Sequence, residues 1–439
     1  MPDSTSDVSK FMDVIKQENC PFGIRSGGHA VYALGNSVED GITIDLGNMN
    51  TTVYHEDTDT VTIEPGARWG AVYETLAEDG VAVVGGRVTG VGVGGLVLGG
   101  GNSLHSGKHG FACDNVLTYE IVLANGTVVL TEEDSHPKLF RSLCGGSGNF
   151  GIVTKFEMKA IPLAGGKDRP HIWGGASQRL YDNLEVIDEL VDFTERAEED
   201  VSCSALCAWV WAPTQNALPL VNACLVHNVD DKENATLFKG LMDVPGSLGN
   251  TYRSAPMVSF ATEIGRLAQH QKQNIWGSSS FRADPKVMRF VVEEHKKLTT
   301  ELERLLADDP SPSSLLIFQP LTLPMLAHGA GKNVLGLEED SKDGPGMFTL
   351  IIVQASTQAG ADSVLPLFRE FEKSIDNYAK EAGSYWKWTY LNYVDFFRDP
   401  IASYGADSVK FLREVAAEYD PERIFQKLRK SGHKIPMKD

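Results

Sequence analysis

Three glycine-rich stretches hold the residues of this sequence best placed for chemistry. The first, PFGIRSGGHA at 21–30, sets Arg25 and Ser26 before Gly27 and Gly28 and puts His29 directly after them. Paired glycines let the backbone turn tightly, or approach another group with no Cβ in the way. In a functional reading the loop's amides hold an anion, Arg25 adds charge and His29 points at a reacting group. In a structural one it is a surface turn with an incidental histidine.

The second stretch, GGRVTGVGVGGLVLGGGNS at 85–103, is too rich in glycine for a regular helix or strand. Its GVGVGG segment invites comparison with the dinucleotide fingerprint, which needs a strand, then GxGxxG opening a helix, then an acidic residue about 20 positions on. Gly95 is followed instead by Leu-Val-Leu and three more glycines. With about 1 kcal/mol lost per glycine, no helix is expected to start there. Extended backbone against a flat, phosphate-bearing ligand fits better: open amides bind a pyrophosphate and missing side chains leave room for rings. A glycine-rich core turn is the alternative. GGSGNFGIV at 145–153 adds a third such loop.

The elements that must position these loops are legible around them. Val8, Phe11, Met12 and Ile15 have helical spacing. Short strands are expected in PFGIR, GITIDLGNM and TVTIEPGA, and a helix in RWGAVYETLAEDG, stopped by Gly80. LTYEIVLANGTVVL reads as a hairpin closed by Asn125-Gly126, and GNFGIVTKFEMKAIPL as a closing strand. This describes an α+β domain over 1–163. From 164 to 384 long helical patterns, as in DPKVMRFVVEEHKKLTTELERLLADD, alternate with strand-like runs such as SALCAWVWA and MFTLIIVQAS. A second domain is expected there, an antiparallel sheet backed by helices, and residues 385–439 form a further segment.

Composition sets the outer limits. A chain of 439 residues, 42% hydrophobic and 23% charged, is globular and long enough for two or three domains. A net charge of −19 with no basic cluster argues against nucleic-acid and anionic-membrane partners. No apolar run is long enough to span a membrane. The six cysteines show no CxxC spacing, so neither zinc nor a disulfide framework is expected. Sequons at Asn50, Asn125 and Asn234 matter only in a secreted protein. The opening MPDSTSDVSK lacks an apolar signal region, which favours a cytoplasmic location; an incomplete N-terminus would permit secretion.

Taken in order, RSGGHA, GGRVTGVGVGGLVLGGG, HGFACDNV, GGSGNFGIVTKF, QPL…GKNVLGL and YLNYVD…YDPERIF resemble the FAD-linked oxidoreductases of the vanillyl-alcohol-oxidase superfamily, in particular the fungal members of its berberine-bridge-enzyme-like branch. The resemblance covers nearly the whole chain. It implies a two-part, PCMH-type FAD domain made of the N-terminal region and the C-terminal tail, with an α/β substrate domain inserted between them. It also implies cofactor contacts from Arg25, Ser26, Gly27, Gly28, His29 and Ala30, from Val88, Gly92, Gly94, Gly95, Gly99, Gly100, Gly101 and Ser103, from Gly148, Gly151, Ile152 and Val153, and from Asn392. In the family the histidine of the R-x-G-G-H loop is joined to the flavin 8α-methyl carbon, and His29 holds that position. Imidazole suits the bond, being neutral and nucleophilic near physiological pH.

The departures are specific. Relatives with a second covalent link carry a cysteine where this chain has Val88, so one link is expected, and Cys113 reads as a buried small residue. A Val- and Pro-rich strand that commonly precedes the helix starting here near Ser6 is missing, which leaves a flavin-free or inactive binding protein as an alternative. For the chemistry, the resemblance points to Tyr393 as base, with packing of the terminal strand as its other reading. His105 is read as base, orienting donor or partly solvated loop residue, beside His109. Trp209, Trp211 and Phe318 are pocket or core aromatics. Oxidation of a small organic substrate, with O2 as acceptor and a place in secondary metabolism, is the expectation; a carbohydrate oxidase is the weaker one.

Overall fold

The computed structural model describes residues 1–215, 218–231, 235–266 and 273–437; the sequon at Asn234 lies outside them, and Asn50 and Asn125 are exposed. The N-terminal periodicity folds as the helix Thr5–Glu18, which buries Val8, Met12 and Ile15 and is capped by Ser4, whose Oγ accepts from the Asp7 amide. This face packs on Phe22, Ile44, Val122 and Phe425.

Phe22–Arg25 pairs in parallel with Ile42–Asp45. Its other edge is taken by the end of the chain. Phe22 bridges Arg429, the Lys430 amide donates to the Phe22 carbonyl at 2.7 Å, and the Ile24 amide donates to Ser431 Oγ at 2.9 Å. The first glycine loop therefore leaves a strand held from both ends of the sequence. Beside it lies a five-stranded antiparallel sheet in the order Thr52–His55, Thr60–Ile63, Ile152–Lys159, Val116–Val122, Val128–Thr131. The Asn125-Gly126 hairpin closes as expected, Gly126 taking φ +78°.

A ten-stranded antiparallel sheet fills the middle of the chain. Its central strands run His171–Leu180, Leu220–His227, Cys203–Trp211, Ser313–Leu321, Gly346–Ala355. Residues alternate between its faces. One face carries Trp209, Trp211, Phe318 and Ile351 into a core with the helices Glu185–Glu195, Pro285–Leu305 and Gln358–Glu381. The other carries Leu206, Leu315, Ile317, Leu350 and Ile352 toward the glycine loops. Tyr385–Trp386 adds a strand at the edge before the tail crosses back to Phe22. No helix among the described residues is long and apolar enough to cross a membrane.

His295, on the long helix Pro285–Leu305, is fully buried, its ring nitrogens bonded to Tyr181 Oη (2.7 Å) and Ser314 Oγ (2.8 Å). Burial holds its imidazole at about 3, below the ordinary 6.5. Below pH 6.5 the unfolded chain takes up a proton that the folded chain refuses. Stability is therefore lost on acidification through that window, by about 1.4 kcal/mol per pH unit. In urea titrations at pH 7.5 and 5, His295→Gln is expected to lose less stability than wild type; equal losses would remove His295 from the acid response.

Candidate functional site

The three glycine loops meet. Gly27 and Gly92 cross back to back: a Cβ on Gly27 would lie 2.4 Å from Gly92 Cα, and one on Gly92 would lie 2.4 Å from Gly27 N. Neither contact can be relieved by a rotamer change, because both partners are backbone. Ser26 Oγ fixes the first loop by donating to the Pro65 carbonyl at 2.5 Å, and Gly28 takes φ +67°. The third loop joins the second where the Ser147 amide donates to the Leu98 carbonyl at 2.9 Å.

Contrary to the sequence expectation, a short helix does form in the second loop, over Val93–Leu98. Its glycines cost propensity, but tertiary contacts override it. The Val93 and Gly94 amides are satisfied by the Ala67 and Pro65 carbonyls, and Val93 and Val97 are fully buried. At the other end Asn392 Nδ2 donates to the Leu96 carbonyl (3.1 Å) and to Tyr390 Oη (3.1 Å). A Cβ on Gly99 would lie 2.2 Å from Asn392 Oδ1, so that glycine makes room for the amide. Asn392 thus joins the tail to the second loop.

Between the loops and the sheet lies a cavity of about 300 Å³. Ser26, Gly27, Gly28, His29, Ala30, Val88, Gly92, Gly94, Gly95, Gly148, Gly151, Ile152, Val153, Asn392 and Tyr393 all line it. Its described lining includes Arg87 and Arg429 and no carboxylate, in a protein of net charge −19. Arg429 is 3% exposed; Nη2 donates to Asn149 Oδ1 and to the His433 carbonyl, both at 2.8 Å. Its Nε has no partner among the described residues, nor does any carboxylate pair with it. Burial pulls this guanidinium down to about 10. A buried cation facing glycine loops fits an anionic group of a dinucleotide.

At the sheet side, Arg87 Nη2 donates to Tyr393 Oη at 2.9 Å, and Tyr393 Oη donates to Gln319 Oε1 at 3.2 Å. Arg87 also reaches Gln319 Oε1. Gln319 is 1% exposed and its Nε2 has no partner among the described residues. Trp276 stands edge-on to both His29 and Tyr393, with ring centroids 6.2 and 6.0 Å away. Tyr393 lies in the turn Leu391–Tyr393, not in a strand, and stacks on Phe348.

Other expected site residues lie outside the lining. Arg25 turns to Asp45, 3.4 Å away. Gly100 and Gly101 supply left-handed turns (φ +100° and +86°), and Ser103 Oγ accepts from the Gly85 amide. His105 is not partly solvated: it is 2% exposed, with Nε2 3.3 Å from Met257 Sδ, and burial holds it at about 3. His109 is held at about 4, chiefly by burial. Trp209, Trp211 and Phe318 pack on the opposite face of the sheet, where the two-residue period puts them once Leu315, Ile317 and Gln319 face the cavity. Cys113 is buried, as expected. Arg87, Gln319, Trp276 and Arg429 were not singled out from sequence; only Arg87 and Gln319 sit in stretches that carried the resemblance.

Residues 1–132 match a family model described as an FAD binding domain. The chain is 35% identical over 445 residues to an FAD-dependent monooxygenase of Emericella nidulans, covering 99% of this chain and 89% of that protein. Two solved structures share the fold. One is 6-hydroxy-D-nicotine oxidase from Arthrobacter nicotinovorans (TM-score 0.76, 22% identity, 99% of this chain and 91% of that one). The other is berberine bridge enzyme from Eschscholzia californica (TM-score 0.75, 18% identity, 100% and 90%).

The Gly27–Gly92 crossing makes a direct prediction. Gly92→Ala must push two backbones apart, at a cost of about 1–3 kcal/mol. A lowered thermal midpoint and a lower flavin content in the purified protein, from poorer incorporation, are expected. A variant with wild-type midpoint and full flavin content would show that the loops can part freely.

Proposed function

The chain belongs to the family of the FAD-dependent monooxygenase with which it shares 35% identity, and we propose that it is a vanillyl-alcohol-oxidase-type, berberine-bridge-enzyme-like flavoenzyme that oxidises a small, largely apolar organic molecule in secondary metabolism, using FAD held covalently through His29 and O2 as electron acceptor. The observation that supports this most is the placing of His29 and Tyr393 on one cavity, each edge-on to Trp276, with two guanidiniums and no carboxylate in its described lining.

Bound FAD supplies the two-electron acceptor that side chains lack. The loops at 26–30, 92–95 and 148–153 would hold it, and Arg429 would meet its negative charge. Tyr393 Oη takes the substrate's proton, and Arg87, donating to the same oxygen, offsets the negative charge of the basic form. Once the proton is on Tyr393, the phenol donates to Gln319 Oε1, and the Gln319 Nε2 is left for a substrate acceptor. The aliphatic face made by Leu206, Leu315, Ile317, Leu350 and Ile352 suits an apolar ring system better than a sugar, whose hydroxyls need more polar partners than this wall offers. The charge balance of the whole chain continues to argue against nucleic acid as a partner.

Denatured, washed protein is expected to keep flavin fluorescence in a gel, and His29→Ala to lose it. A single flavin-bearing peptide is expected, because Val88 stands where a second link would need a thiol. Covalent flavin in the His29 variant, or on a Cys113 peptide, would refute the assignment. Tyr393→Phe should slow flavin reduction by substrate about 10²–10⁴-fold and leave reoxidation by O2 unchanged. Reduction within a few-fold of wild type in stopped-flow mixing would make Tyr393 a packing residue.

A further inference from the structure

Outside the flavin cavity, one end of the ten-stranded sheet brings three ligand-type side chains together. Cys203 and His227 sit directly opposite in the antiparallel register, and Asp200 lies in the turn before Cys203. Asp200 Oδ2 is 3.0 Å from His227 Nε2 and 3.4 Å from Cys203 Sγ, and the three ligand atoms lie within 4.8 Å of one another. Cys203 and His227 are buried, at 5% and 3% exposure.

Neighbouring groups fix the role of each atom. His227 Nδ1 is 2.9 Å from the Asp231 carbonyl oxygen, which can only accept, so the neutral ring carries its proton on Nδ1. Nε2 then presents a lone pair to a carboxylate oxygen, a second acceptor, and the two need a proton or a cation between them. The Ser202 amide donates to Asp200 Oδ1 at 3.0 Å, which turns Oδ2 toward the other two residues. An imidazole oriented by a backbone carbonyl, with its carboxylate neighbour also hydrogen-bonded, has the outer shell of a metal ligand set.

The geometry points to a divalent transition-metal site, zinc above all, on Asp200 Oδ2, Cys203 Sγ and His227 Nε2. A tetrahedral ion with bonds of about 2.0–2.3 Å holds its ligands about 3.3–3.8 Å apart, so small side-chain movements would complete the site. Binding releases the Cys203 thiol proton to solvent, with no change of oxidation state. The dication, the thiolate and the carboxylate then sum to zero charge, which suits a largely buried position, and water takes the fourth place. Missing CxxC spacing does not speak against this set, because the sheet register brings its members together.

Such an ion would brace the segment after the second glycine loop. Asn228, next to His227, donates to the Leu104 carbonyl at 2.6 Å, and a Cβ on Gly107 would lie 2.7 Å from the Val201 carbonyl oxygen. The role is structural.

The test uses the full-length protein as purified, dialysed against chelator and titrated with zinc chloride, with bound metal measured by mass spectrometry. A parallel sample takes cobalt(II) and is read by difference absorption. One equivalent of zinc, a thiolate-to-cobalt band in the near ultraviolet and a thermal midpoint that rises with zinc are expected. Cys203→Ser should abolish the band, and Cys203→Ser and Asp200→Asn should each weaken zinc binding by more than about tenfold, with far-ultraviolet circular dichroism unchanged. If one variant does not fold, the other carries the comparison. No zinc uptake by wild type, or wild-type affinity in a folded variant, overturns the proposal and leaves an imidazolium–carboxylate bond with Cys203 as a bystander.

Discussion

Two backbones meet at Gly27 and Gly92 at a distance that excludes a Cβ on either, and the cavity depends on that meeting. The first loop leaves a strand whose far edge is the chain terminus; the second carries a short helix whose last carbonyls are held by Asn392 from the tail. The third is tied to the second through Ser147. Loosening the crossing would therefore disturb parts of the chain hundreds of residues apart. Glycine here is a requirement of distance, not of flexibility.

Charge follows the same logic. An acidic protein gathers two guanidiniums and no carboxylate along the described lining of one cavity. Arg429 has its Nη2 satisfied by Asn149 and the His433 carbonyl, and has no anionic partner among the described residues. Burying a cation without an anion is costly unless a ligand supplies the charge. Arg87 is placed differently: it donates to the oxygen of Tyr393, the group proposed as base.

Local signals made much of this legible in the sequence. The Asn125-Gly126 hairpin, the helix from Trp69 to Ala77 and the long helix Pro285–Leu305 follow from turn chemistry and periodicity. The helix Gln358–Glu381 was not singled out in the sequence, although Ala361, Val364, Phe368, Phe371 and Ile375 keep helical spacing; Gly360 and Pro366 within it weaken the local signal. The helix Val93–Leu98 was excluded on propensity, a term its tertiary anchors outweigh. For the sheet, alternation separates Phe318 from Ile317 and Gln319 but does not say which face meets the cavity. Arg429 and Trp276 come to the site from distant positions, and no local pattern marks them.

The central claim is that the crossed glycine loops, the tail and the aliphatic sheet face form one FAD site with His29 and Tyr393 on it. A crystal structure of the protein as purified tests this most directly. The account predicts FAD in this cavity, with the ring system between His29 and Tyr393 and the diphosphate against the glycine loops. A protein that crystallises with the loops crossed and no cofactor, or with FAD bound elsewhere, would contradict it.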